Sequence, residues 1–222
     1  DFAKRIIKTG TPIVLVLNEG RPRLISSIAN DVEAIIQTFL PGNHGADALA
    51  DILIGDVNPS GKLPYSYPLY QNALTTYNFK PSQIQNNAQG GYNYVGDVKN
   101  LFDFGFGLSY TKFESSNLKV DSKNVKISDT LKISVQLSNK GEMSGKETLM
   151  LFSSDHYASL TPDNKRLRRF KKIFLDAGAS KEVKFLLPVM ELAFVNQFNE
   201  TLVEPGKFDL IINDEKVEIK VD

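Results

Sequence analysis

The chain has 222 residues, 41% of them hydrophobic and 23% charged, an ordinary globular balance that allows one large or two small domains with a buried core. Lys and Arg total 26 and Asp and Glu total 26, so there is no electrostatic footprint for nucleic acid or an anionic membrane surface. No apolar run reaches the ~20 residues of a bilayer span, and the absence of cysteine excludes disulfides and thiolate metal sites without fixing the compartment.

Asp1 to Ile7 reads as the tail of an amphipathic helix, which suggests a piece of a longer protein. Thr11 to Leu17 is a continuous apolar, branched run that opens with Pro12. Such a run predicts a strand buried on both faces of a mainly parallel sheet. Asn30 to Phe39 opens with capping residues and reads as a helix or a buried α/β segment, stopped by Pro41-Gly42. Ala46, Leu49, Ala50 and Leu53 have helical spacing, with Gly55 as the C-terminal stop. Asn58-Pro59-Ser60-Gly61 is a turn. Leu63 to Pro68 is extended, since residues before proline avoid the α region.

From Tyr70 to Thr111 periodicity fades into a polar stretch rich in aromatics, among them Tyr77, Phe79, Tyr92, Tyr94, Phe102, Phe104 and Phe106. So many aromatics predict a segment that packs on a surface or lines a site. After Phe113 the period becomes two. Leu131, Ile133, Val135 and Leu137 alternate with polar residues, as do Val183, Phe185 and Leu187, then Phe208, Leu210 and Ile212, then Val217, Ile219 and Val221. Turns rich in Gly and Asn separate the runs, a β-sandwich pattern over about a hundred residues. The expected organisation is an α/β portion over 1–75, an aromatic-rich connector over 76–113 and an all-β, immunoglobulin-like sandwich over 114–222.

Two long motifs then resemble a known family. Pro41-Gly42-Asn43-His44-Gly45-Ala46-Asp47-Ala48-Leu49-Ala50-Asp51-Ile52-Leu53-Ile54-Gly55-Asp56-Val57-Asn58-Pro59-Ser60-Gly61-Lys62-Leu63-Pro64 is similar to a block in the second domain of family 3 glycoside hydrolases. Phe104-Gly105-Phe106-Gly107-Leu108-Ser109-Tyr110-Thr111 resembles the signature preceding that family's last, fibronectin-III-like domain. Asn139-Lys140-Gly141 with Gly145, Arg168-Arg169-Phe170 and Glu204-Pro205-Gly206 match that last domain, so the resemblance covers essentially the whole chain.

The resemblance implies the C-terminal part of a retaining exo-β-glycosidase, most often a β-glucosidase, periplasmic or secreted and needing no cofactor. Its nucleophile is an aspartate on a (β/α)8-like barrel. Its acid/base is usually a glutamate upstream of the residues seen here, so no catalytic residue is carried over. Retention uses two carboxylates about 5–5.5 Å apart. The implied partners are the barrel-containing N-terminal segment of the same enzyme and a β-glucoside or oligosaccharide, with a homodimer left open. Departures from the family pattern are His44 where an acidic residue is common, Ala46 in place of a second glycine, and Arg23 where an apolar residue is common. They leave specificity open, and β-xylosidase or N-acetyl-hexosaminidase activity lies within the same family. A non-catalytic carbohydrate-binding or structural module is the alternative from another class.

Five residues are candidates to lie beside substrate. Glu19 and Arg21 follow a predicted parallel strand, beyond whose C-terminal edge ligands bind in open α/β sheets. A local salt bridge bracing the loop is the commoner arrangement for such a pair. His44 follows Pro-Gly-Asn at a helix start, where a capping or surface role is commoner than substrate contact. Tyr92 and Tyr94 fall where the family often has a Gly-Tyr-x-Tyr element near its active-site entrance, and aromatic faces pack well on sugars. The competing role is hydrophobic packing, the preferred reading for Phe102, Phe104 and Phe106.

Other patterns carry less. With only His44 and His156 and no cysteine, no metal-ligand spacing is present. The Gly55 to Gly61 block lacks the length and closing Glu of a calcium loop, and a turn held by the Asp56 and Asn58 side chains is expected. Ser60 and Ser109 have no paired base. Gly105-x-Gly107 lacks the strand and helix of a phosphate loop. The basic run Lys165 to Lys172 reads as a solvated strand face.

Overall fold

The computed structural model describes residues 2–73, 75–81 and 99–222. They fall into two compact units. One takes in the described residues within 1–57, 63–76 and 97–106; the other takes in those within 58–62, 77–96 and 107–222.

The first unit opens with a short helix α1 (Phe2–Ile7). Strand β1 (Val14–Leu17) pairs in parallel with β2 (Ala34–Gln37), Val14 opposite Ala34 and Leu17 opposite Gln37. The parallel pairing matches the sequence expectation, but two details do not. The Asn30 to Phe39 segment contains a strand, and its helical reading does not hold. Ile35 and Ile36 are β-branched, and the backbone of β1 offers them a ladder. Glu33 N–H donates to Ile13 C=O at 3.0 Å and Thr38 N–H to Leu17 C=O at 3.0 Å, continuing that ladder at both ends. Phe39 then turns left-handed (φ 55°) and ends the strand. Nor is β1 buried on both faces: Val14 and Val16 stay 45% and 36% exposed. A two-stranded sheet has too few neighbours to cover both sides of a parallel pair.

Helix α2 (Gly45–Ile54) spans the expected Ala46 to Leu53 run. Gly55, left-handed at φ 88°, ends it and donates its N–H to Ile52 C=O. Its apolar residues Leu53 and Ile54 remain exposed. Strand β3 (Tyr67–Pro68) pairs antiparallel with β4 (Asn100–Phe102), Tyr67 opposite Phe102. An aromatic chain runs through this unit. Phe39 meets Tyr65 edge-on at 6.2 Å, Tyr67 meets Phe102 edge-on at 6.0 Å, and Phe102 stacks on Phe106 at 5.0 Å.

The second unit is a β-sandwich. Strands β5 (Phe113–Val120), β7 (Thr130–Asn139) and β10 (Ser180–Pro188) form a three-stranded antiparallel sheet in the order β10-β7-β5. Strands β6 (Asn124–Val125), β8 (Gly145–Asp155), β9 (Arg166–Leu175), β13 (Gly206–Ile212) and β14 (Glu215–Val221) form a five-stranded sheet ordered β6-β14-β13-β8-β9. A short pair, β11 (Phe194–Val195) and β12 (Thr201–Leu202), follows a 3-10 turn at Val189–Leu192. The core is built by the alternating residues read from sequence. Leu131, Ile133, Val135 and Leu137 are buried with Val183, Phe185 and Leu187 on one side and Phe208, Leu210, Ile212, Ile219 and Val221 on the other. Leu149 and Leu151 of β8 are also fully buried. Phe152 is buried on the opposite face of β8, against Tyr77 and beneath the Lys165 ammonium, and the register shift beside it leaves Arg168 of β9 as the extra, unpaired residue.

Candidate functional site

In the first unit the chain leaving β1 carries Glu19 into a small polar cluster. The Glu19 carboxylate accepts the Tyr67 hydroxyl at 3.1 Å and the Arg23 N–H at 3.2 Å. Tyr67 has one phenolic proton and a second acceptor, Arg23 C=O at 2.6 Å. Gln37, at the end of β2, donates its amide to Glu19 C=O at 3.3 Å. Tyr67 is only 1% exposed, and burial, reinforced by the Glu19 charge, pushes its phenol far above the usual range. Tyr65 shifts the same way for the same two causes. Its hydroxyl, with Ser66 Oγ, Gln37 Oε1 and Asn100 Oδ1, is buried without a hydrogen-bond partner among the described residues.

Glu19, Arg21 and His44 share no hydrogen bond or ion pair. Glu19 braces its loop through Tyr67 and Arg23 rather than through a salt bridge to Arg21, which is exposed. His44 is exposed at the N-cap of α2 and makes no side-chain capping bond. Tyr92 and Tyr94 lie outside the described residues. Of the partners of Glu19, Tyr67 and Gln37 were not singled out in the sequence, and Arg23 stood out only as a departure from the family pattern. The Tyr65-Ser66-Tyr67-Pro68 run signals only extended chain, and nothing in it marks a polar role.

In the second unit the signature residues form a set of close contacts. Asn58 donates its amide to Ser144 C=O at 3.0 Å and accepts from Ser109 Oγ at 2.8 Å and Tyr110 N–H at 2.9 Å. The Asn58 side chain thus ties distant segments instead of closing its own turn, a correction to the local-turn reading. Lys62 pairs with Glu147 at 3.0 Å and donates to Gly107 C=O at 2.7 Å. A Cβ on Gly107 would sit 2.1 Å from Gly61 C=O, so this approach admits only glycine. Thr111 donates its hydroxyl to Asn139 Oδ1 at 2.6 Å, and Asn139 donates to Met143 C=O at 2.8 Å.

The basic run also departs from a purely solvated face. Arg169 and Glu191 form a two-pronged pair at 2.6 and 2.6 Å, but Arg168 is half-buried. At β13–β14, His156, Asp209 and Glu218 place ligand atoms within 4.8 Å of one another. Lys216 pairs with Asp209 at 3.1 Å and Lys207 with Glu218 at 2.9 Å, so ammonium groups already neutralise these carboxylates. Among the described residues no helix is long and apolar enough to cross a membrane.

A family model for the glycosyl hydrolase family 3 C-terminal domain matches residues 1–110, and one for a fibronectin type III-like domain matches residues 147–216. The chain belongs to glycoside hydrolase family 3, as part of its C-terminal region. A β-xylosidase of Formosa agariphila is 38% identical over 96% of this chain and 29% of its own length. A periplasmic β-glucosidase of Salmonella typhimurium is 34% identical over 99% of this chain and 30% of its own length. The solved β-glucosidase of Listeria innocua in complex with glucose superposes with a TM-score of 0.88 at 29% identity, covering 99% of this chain and 32% of that one. This chain therefore spans about three tenths of the length of these family 3 relatives. The motif contacts around Asn58, Lys62 and Gly107 are the structural use that this member makes of its family signature.

Proposed function

We propose that this chain is the C-terminal portion of a retaining exo-β-glycosidase that removes terminal, non-reducing β-D-glucosyl residues. The observation that carries the reading is the near-complete alignment of the chain with β-glycosidases three times its length. The nucleophile aspartate and the acid/base glutamate then belong to the barrel-containing N-terminal segment of the enzyme, which is the partner of this chain. Glu19, already engaged by Tyr67 and Arg23, shapes the chain beyond β1 and takes no part in bond cleavage. The chemistry uses carboxylates and water, with no cofactor. A periplasmic or secreted location is supported by the name of the Salmonella relative.

A second reading, β-xylosidase activity, is favoured by the 38% identity to the Formosa enzyme. Hydrolysis of 4-nitrophenyl β-D-glucoside and β-D-xyloside by the full-length enzyme separates the two. The glucosidase reading expects kcat/KM at least about tenfold higher on the glucoside, a gap of about 1.4 kcal/mol in transition-state binding. It also expects the β-anomer as first product in NMR. A preference for the xyloside establishes the second reading, and an α-anomer first product overturns retention.

A further inference from the structure

The β-sandwich holds a cavity of about 450 Å3 that the glycosidase chemistry does not use. Its size lies within the range of about 300–1,000 Å3 typical of small-molecule sites. Leu160, Leu192 and Phe194 are among its apolar lining residues. Lys80, Asp155, Asp163, Arg166 and Arg168 are its charged ones, and of these Arg168 is the unusual member.

Arg168 donates Nε–H to Ser153 Oγ at 2.7 Å, one Nη–H to Glu191 C=O, and another to Leu192 C=O at 3.5 Å. All three acceptors are neutral. A guanidinium has five N–H donors, so two find no acceptor among the described residues. The nearby Glu191 carboxylate is occupied by Arg169. Arg168 is thus a half-buried cation with no ion-pair partner among the described residues, an arrangement that costs free energy unless an anion completes it. Burial, and next the neighbouring Arg166 charge, pull its pKa down to about 10.

The other charged residues described in the lining do not supply that anion. Asp163 is bound to Arg166 at 2.7 and 3.0 Å and lies 3.9 Å from Lys80, which also donates to Thr161 C=O. Asp155 accepts the Tyr157 N–H at 3.1 Å. Neither of the two carboxylates in the lining, Asp155 and Asp163, is hydrogen-bonded to Arg168.

We propose that this cavity is a secondary binding site for a short saccharide carrying one carboxylate, a uronosyl unit. Its carboxylate takes the two remaining Arg168 donors, and its ring packs on the Phe194 side. Planar, two-pronged recognition of carboxylate is what a guanidinium does best. The choice of a saccharide rests on the glycosidase reading; the choice of an anion rests on Arg168 alone.

Saturation-transfer NMR on the intact protein, with D-glucuronate, D-glucose and acetate as probes, tests the site. Glucuronate is expected to bind about tenfold more tightly than glucose or acetate, the weight of a charge-assisted hydrogen-bonded pair. Arg168→Gln is expected to abolish that preference. Because Arg168 also braces the Val189–Leu192 turn, Ala158→Phe serves as a second variant: it fills the cavity from its rim and is expected to remove binding without lowering the melting temperature. Equal binding of glucose and glucuronate, no glucuronate binding, or binding that survives both variants overturns the proposal. Equal binding of acetate refutes the saccharide and leaves only an anion hole. Hydrolysis of 4-nitrophenyl glycosides is read separately, so failure of the glycosidase reading is distinguishable from failure of this site.

Discussion

Asn58 uses both ends of its amide on partners 51 to 86 residues away. Replacing it with alanine leaves Ser144 C=O, the Ser109 hydroxyl and the Tyr110 N–H without this partner, so Asn58→Ala is expected to cost about 1–3 kcal/mol. Asn58→Asp keeps the acceptor for Ser109 and Tyr110 but sets a carboxylate oxygen against Ser144 C=O, so its cost is expected to shrink on acidification, as the carboxyl gains a proton to donate. Urea unfolding followed by circular dichroism at neutral and acidic pH, with the unsubstituted chain as reference, gives the values; an Asn58→Asp cost that does not shrink would contradict the division of roles. Asp155 is a different case. Burial raises its pKa in the folded chain above the unfolded value. Ionisation at neutral pH therefore opposes folding, and the penalty is relieved as pH falls through that raised pKa. Asp155→Asn retains an oxygen for the Tyr157 N–H. It is expected to raise the melting temperature modestly at pH 7, with the gain shrinking on acidification. A lower melting temperature at pH 7 would contradict this sign.

At the scale of elements, stability follows the inward positions of the two sheets. Leu137 on β7 is fully buried, whereas Phe170 on β9 is 67% exposed. Leu137→Ala is expected to cost about 2–5 kcal/mol, and Phe170→Ala less than about 0.5 kcal/mol; denaturant unfolding of the two variants checks the contrast. The strands that alternate cleanly, β7, β10, β13 and β14, were readable in the sequence. Strand β8 was not, because apolar residues are buried on both of its faces, Leu149 and Leu151 in the core and Phe152 on the other side against Tyr77, which hides the period of two. The Asn30 to Phe39 segment carried capping residues and short apolar spacing that suit either state, and pairing with β1 decided for a strand. The candidate site was less legible. Glu19 was visible as a charge past a strand, but its partner Tyr67 comes from a segment 48 residues on. No local pattern announces such a contact.

For the whole molecule, the two units differ in how completely they bury their apolar residues. The sandwich has a continuous core, while the first unit leaves Val14, Val16, Leu40, Leu53 and Ile54 exposed. Parallel sheets occur with both faces covered, and apolar surface of this kind marks an interaction face. In the proposed enzyme that face meets the rest of the α/β sandwich domain on the barrel-containing segment. The most direct test is hydrolysis of 4-nitrophenyl β-D-glucoside by this chain alone, by the barrel-containing segment alone, and by the two co-expressed. The account predicts no turnover by this chain alone and a gain of at least about a hundredfold for the co-expressed pair over either part. Turnover by this chain alone, or co-purified segments that stay inactive on both glucoside and xyloside, would contradict it.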